Sequence, residues 1–190
     1  EVMRHLVFGL FALLLLGQTA LAEVGEDGLH KKDWFAVTFK DVAEDIRDAE
    51  MQGKRLAMIF EQRGCIYCKQ LHEGPLSNPD IANYIKSHFV VVQYNLFGDE
   101  EVTDFDGTAL PEKEMAKRWG VVFTPTILFM PEQVPEGDNA GRAAVATMPG
   151  AFGNGTTLDM FTWVQEKGYQ SDEHFQKYHA RRIQERQKTQ

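Results

Sequence analysis

Cysteine is scarce in this chain of 190 residues. It has two, Cys65 and Cys68, with two residues between them. A structural zinc site needs four ligands, and Cys65, Cys68 and His72 supply three at most, so that use is excluded. Covalent haem attachment would need a histidine directly after the second cysteine, and Lys69 stands there. Basic residues are in deficit: 20 Lys and Arg against 28 Asp and Glu leave a net charge of −8, which argues against nucleic acid as the main partner. A calcium loop built on Asp106-Gly107 would need its first Asp at position 102, which is Val102. Long apolar runs are missing as well. The one candidate, Leu6 to Leu16, is too short to cross a bilayer comfortably. No internal repeat is visible.

The flanks of that apolar run give it a meaning. Arg4 and His5 precede it, Gly17, Gln18 and Thr19 come after it, and Ala20-Leu21-Ala22 stands before Glu23. This is the charged, apolar and small-residue order of a secretory signal, so residues 1–22 are expected to be cleaved on export to the periplasm, leaving no stable membrane insertion. No cysteine follows the cleavage site, so no lipid anchor is expected there. Export bears on Cys65 and Cys68, because paired thiols outside the cytoplasm tend to oxidise. A disulfide across three positions closes a very small loop and constrains the unfolded chain little, so it would make a poor staple.

Beyond residue 22 the length suits one domain with a sizeable core. Residues 23–33 are polar and read as a flexible leader. Asp41 to Met51 carries Val42, Ile46 and Ala49 at helical spacing and should stop near Gly53. Arg55 to Phe60 is a short apolar run, expected as a buried strand. Helix is expected over Lys69 to Glu73 and again over Ile81 to His88, the latter started by Asn78-Pro79-Asp80. Phe89 to Asn95 is rich in β-branched and aromatic residues, as in a central strand. Gly98 to Leu110 reads as an acidic, solvated insertion. Helix over Pro111 to Trp119, strands over Thr126 to Met130 and Ala143 to Thr147, and helix over Thr156 to Lys167 come next, with Pro131 to Gly141 as a polar turn. The charged tail, residues 170–190, has a weak stripe of Phe175, Tyr178 and Arg182 and fits either a docked helix or a frayed end. Helices alternating with strands predict an α/β fold: a central mixed sheet flanked by helices, with an antiparallel edge formed late in the chain.

A Cys-x-x-Cys where a strand runs into a helix has a specific chemistry. Unpaired N–H groups and the positive helix end stabilise a thiolate on the first cysteine, and the second, one turn on, can attack the mixed disulfide that forms. Cys65 would attack and Cys68 resolve, with Arg63 and Lys69 adding positive charge. Copper(I) held by two thiolates remains open, although no Met or His flanks the pair. Pro125 marks the start of an expected strand, which is unusual. A cis Thr124–Pro125 bond would account for it; so would a plain turn.

With these residues assembled, the chain resembles the thioredoxin superfamily. More narrowly, "EQRGCIYCKQLH", the insertion "FGDEEVTDFDGT", "RWGVVFTPTILF" and "MPG" at Met148 to Gly150 resemble exported thioredoxins of bacterial sulfur-oxidation (Sox) clusters, the SoxW kind. The resemblance runs from about Phe35 to Tyr169 and implies a thioredoxin-like domain over residues 34–169 with an extra N-terminal helix. It implies Cys65 as nucleophile, Cys68 as resolving thiol, Pro125 as the cis-proline, and Thr124 and Tyr67 at the substrate. It also implies a redox-active disulfide in place of any cofactor, disulfide-bearing protein substrates and a membrane thiol-electron carrier as donor. Three departures stand out. Gly64 precedes Cys65 where thioredoxins carry Trp, Ile66-Tyr67 lacks proline, and Ile59 occupies the position of the family's buried acid. Glu61 lies two residues further along on the same strand face, and is either the replacement for proton handling near Cys68 or a solvent-facing strand end. The direction of electron flow stays open between a reductant and an oxidant or isomerase.

Overall fold

The computed structural model describes residues 23–188; the signal-peptide reading of residues 1–22 lies outside them. The segment expected as a flexible leader is folded, which corrects that expectation. Strands β1 (Glu23–Val24) and β2 (His30–Lys31) pair antiparallel. The turn between them is closed by the Asp27 carboxylate, which accepts from the Leu29 backbone N–H at 3.0 Å, and by Gly28 in the left-handed region at φ 78°. Leu29 is buried, and Gln93 donates its amide to the His30 carbonyl at 2.7 Å.

Helix α1 (Val42–Met51) begins at Asp41, whose carboxylate accepts from Glu44 N–H, and buries Val42, Ile46 and Ala49. Strand β3 (Arg55–Glu61) is buried along its whole length. Helix α2 (Ile66–Glu73), a short 3-10 turn at 75–77 and helix α3 (Pro79–His88) come next, α3 capped by the Asn78 side chain. Strand β4 (Phe89–Asn95) runs parallel to β3, Arg55 opposite Phe89 and Glu61 opposite Asn95. The acidic insertion carries a small hairpin, β5 (Glu101–Thr103) and β6 (Ala109–Pro111), before α4 (Glu112–Arg118). Strand β7 (Thr126–Phe129) lies antiparallel to β3, and β8 (Ala146–Pro149) antiparallel to β7. The sheet order is β4-β3-β7-β8. A one-turn helix α5 (Ala140–Ala143) fills the end of the region expected as a polar turn and delays the last strand. Helix α6 (Asn154–Gln165) and α7 (Phe175–Lys188) complete the chain. Among the described residues no helix is long and apolar enough to cross a membrane.

The sheet divides the core in two, and β3 shows the rule. Met58 and Phe60 join the cluster that contains Val42 and Ile46 of α1 and Met115 of α4. Ala57 and Ile59 face the opposite cluster, with Leu71 of α2, Ile85 of α3 and Phe161 of α6. Alternation therefore aims Glu61, like Ile59, at the side occupied by α2. The insertion folds around the buried Asp104, which accepts from Trp119 Nε1 at 2.8 Å, Arg118 Nε at 2.9 Å and Ala140 N–H at 3.0 Å. The tail docks as a helix: buried Asp159 of α6 accepts two bonds from Arg186, at 2.8 and 2.9 Å, and one from His179 Nδ1 at 2.6 Å.

One inward-facing acid works against the fold at neutral pH. Asp45 of α1 is 4% exposed, and the hydroxyl of Thr38 donates to it at 3.1 Å. Burial, with Asp41, Asp48 and Glu44 nearby, pushes its carboxyl up to about 6 despite that bond. A raised carboxyl favours folding below its ordinary value, and that contribution is lost as pH rises through about 6. Asp45→Asn, which cannot ionise, should be more stable than wild type above that pH by about 2 kcal/mol, with the gap closing below about pH 4. Urea midpoints measured across this range check both the sign and the window.

Candidate active site

The site is built where β3 stops. Past Glu61 the chain turns through Gln62, Arg63 and Gly64, the glycine at φ 72° with open space where a Cβ would stand. Cys65 caps α2 in extended backbone, and its Sγ accepts from the Cys68 N–H at 3.0 Å. The two sulfurs are bonded to each other, and this disulfide is the redox centre. Their exposures differ in the sense that matters: Cys65 is 8% exposed and Cys68 0%. Of the two, Cys65 alone keeps any exposure to a group attacking from outside. The N–H groups of the first turn of α2 would stabilise negative charge on that same atom.

Across from the disulfide, Thr124–Pro125 is a cis peptide at the start of β7. Thr124 donates its hydroxyl to Cys65 Sγ at 3.3 Å, and the Pro125 carbonyl accepts from Gly150 N–H at 2.7 Å. Two loops are thereby held against the redox helix. Ile66 and Tyr67 on the first turn of α2 are exposed, as are Val122 and Phe123 just before Thr124 and Phe152 two residues after Gly150. Of these exposed residues the sequence reading singled out Tyr67 alone. The available signal was "VVF", an apolar run that belongs to no strand and directly precedes Thr-Pro.

Glu61 is fully buried rather than solvent-facing. It accepts from His72 Nε2 at 2.8 Å and from the Gln93 amide at 2.5 Å. His72, weighed from sequence as a third metal ligand, faces Glu61 instead. Among the described residues no three His, Cys, Asp or Glu side chains converge as a metal-binding group.

A mixed sheet that carries a Cys-x-x-Cys at a strand-to-helix junction, opposite a cis-proline, defines a thioredoxin-type redox domain. The family model described as "Thioredoxin-like domain" matches residues 42–141, more than half of the chain, and the chain belongs to that family. The matched span contains α1, the redox helix, the insertion hairpin and the cis-proline. Among solved structures, the chain is similar to a thioredoxin-fold protein from Helicobacter pylori at 21% identity, covering 83% of this chain and 94% of that one, with a TM-score of 0.57. It is also similar to a thioredoxin from Thermus thermophilus at 24% identity, covering 67% and 86%, with a TM-score of 0.51. At these identities the likeness is one of fold. No characterised protein matches the chain significantly by sequence alone.

Proposed function

We propose that this chain is an exported thiol–disulfide oxidoreductase that reduces disulfides in partner proteins. The observation that carries it is the pairing of one reachable sulfur with one enclosed sulfur. In the reduced protein the Cys65 thiolate attacks a partner's disulfide, and the displaced partner sulfur leaves as a thiolate and takes a proton. Cys68 then loses its proton and attacks Cys65 Sγ, the bond to the partner breaks, and the second partner thiol is released. Thr124 and Pro125 present backbone to an extended partner segment, and Tyr67, with the apolar residues around the disulfide, receives its side chains. Glu61 handles the proton that leaves Cys68.

The N-terminal signal pattern supports a periplasmic location, where the couple must be recharged by a dithiol donor; a membrane thiol-electron carrier fits that need. Resemblance to the SoxW kind supports a Sox carrier protein or a cytochrome-maturation component as client. Residues 34–169 carry the redox chemistry in this account, with α7 packed on them through Asp159. The test of direction is the equilibrium of the Cys65–Cys68 couple in a dithiothreitol or glutathione series. A value near thioredoxin's, about −270 mV, is expected, whereas one near about −120 mV would make the protein an oxidant or isomerase. Glu61→Gln should lower the rate of disulfide reduction by about 10²-fold near neutral pH and flatten its pH dependence. An unchanged pH profile would remove Glu61 from the mechanism.

A further inference from the structure

We propose that a groove at the end of β4 is a docking site for partner proteins. It takes the extended stretch next to the partner's disulfide, and selects one that carries a carboxylate and an apolar side chain within a few residues of the attacked cysteine. This rests on the redox role proposed above for Cys65 and Cys68, and names the kind of partner that role serves.

Topology brings the groove to the disulfide. Strands β3 and β4 run parallel with Glu61 opposite Asn95, so both end at the same edge of the sheet, about 4.8 Å apart. Past Glu61 the chain leads to Cys65, and past Asn95 it leads to Phe97 and Asp99. An open groove of about 770 Å³ is lined by Asn95, Phe97, Val37 and Arg63, among others. The carboxyl ends of parallel strands are where α/β sheets place their binding crevices.

Arg63 belongs to both places. It lines the groove and stands two residues before Cys65, so the two Cα atoms are at most about 7 Å apart. Between them is Gly64, exposed, with no atom within 4 Å of where a Cβ would stand. No side chain at that position bars a partner chain on Cys65 from running on toward Arg63. The sheet order sets β4 and β7 on opposite sides of β3. A partner segment lying over Cys65 therefore meets Thr124–Pro125 on one side of its cysteine and the groove on the other.

Charge selects the occupant. The four carboxylates that line the groove already face an ammonium each: Asp27 that of Lys31, Glu100 and Glu112 that of Lys40, and Asp99 that of Lys113. Arg63 has no carboxylate among the described residues. Its side chain makes one hydrogen bond there, from Nε to the Asp27 carbonyl at 3.4 Å. Both terminal nitrogens of an exposed guanidinium are left for a ligand, in the planar fork that fits a carboxylate. Lys32 also lacks a carboxylate, but its ammonium is spent on Ser77 Oγ at 2.7 Å. The groove exposes hydrocarbon as well. Val37 is 100% exposed and Phe97 67%, and large apolar side chains bared around a polar-rimmed groove mark a contact surface.

The exchange itself is unchanged in chemistry. The Cys65 thiolate attacks the partner's sulfur, the partner's S–S bond breaks, and its other sulfur leaves as a thiolate and takes a proton. Holding the neighbouring stretch in the groove keeps the attacked sulfur at Cys65.

The test uses the reduced full chain and peptides whose single cysteine is activated as a 2-pyridyl disulfide. Attack by Cys65 on the peptide sulfur releases thiopyridone, which is read by absorbance. Leu and Glu are placed close to the cysteine, on its N-terminal side in one peptide and its C-terminal side in another, and each peptide has a counterpart with Lys in place of Glu. In one placement the Glu peptide should react about tenfold faster than its counterpart, with the ratio shrinking as salt rises. The chain's net charge of −8 favours the Lys peptide at long range, so a preference for Glu is local. Arg63→Gln should bring the ratio to about one or below. Any change in the reactivity of Cys65 cancels from this ratio, since both peptides meet the same thiolate. Phe97→Ser should slow the Glu peptide about threefold relative to dithiodipyridine, a disulfide with nothing to place in the groove. Equal rates for the Glu and Lys peptides in both placements overturn the proposal, as does a preference that persists in Arg63→Gln. A chain that reacts with dithiodipyridine yet shows no preference sinks the groove alone. A reduced chain inert to dithiodipyridine sinks the redox role, and the groove's with it.

Discussion

Replacing Cys68 with serine is expected to freeze disulfide exchange halfway. Cys65, capping α2 at the edge of solvent, can still attack, but nothing then releases the partner. The variant should accumulate a one-to-one mixed disulfide that mass spectrometry detects and that added dithiothreitol dissolves. Cys65→Ser should behave differently. The remaining thiol is enclosed, so no client reaches it, and disulfide reduction should fall on the order of 10³-fold or more. The asymmetry between the two variants is the informative result. If Cys65→Ser traps clients and Cys68→Ser does not, the roles are exchanged and the direction of attack deduced from exposure is wrong.

The second large effect is structural. Asp104→Ala should cost about 3 kcal/mol of stability, seen as a lowered urea midpoint, because it removes the acceptor shared by three elements. One carboxylate receives Arg118 and Trp119 from the end of α4 and the Ala140 N–H at the start of α5. It also accepts from the Phe105 N–H in its own turn, at 2.8 Å. Without it, the buried indole N–H and backbone N–H lose their partner, and Arg118 keeps Asp106 alone, at 2.6 Å. Asp104→Asn, which keeps an acceptor oxygen but loses the charge, should recover part of the loss.

The central strands were legible because β3 and β7 are buried on both faces, leaving uninterrupted apolar runs such as "RLAMIF" and "TILFM". Helices α1 and α3 were legible because Asp41 and Asn78 announce their starts locally. The disulfide and Pro125 could be read for a related reason: their chemistry is written in adjacent residues. The features that escaped depend on distant partners. The β1–β2 ribbon is polar and is fastened to Gln93 more than sixty positions away. Strands β5 and β6 are three residues each in an acidic stretch, and their organising residue, Asp104, looks like any surface acid until Trp119 is beside it. His72 reads from sequence as a possible metal ligand, and that it faces Glu61 instead emerges only when β3 brings that acid to α2.

The clamp at Asp159 bears on where this protein can be cut. A border drawn at the end of the family resemblance, near Tyr169, would look clean in the sequence, since the segment beyond it is charged and short of apolar residues. Yet α7 supplies Arg186 and His179 to a carboxylate that is closed off from water, along with Tyr178, which is buried in the cluster that holds Phe161 and Trp163. A fragment ending there would keep the anion and discard its cations. The C-terminal helix is thus an integral wall of the module rather than an appendage, and any minimal version of the protein has to extend through it.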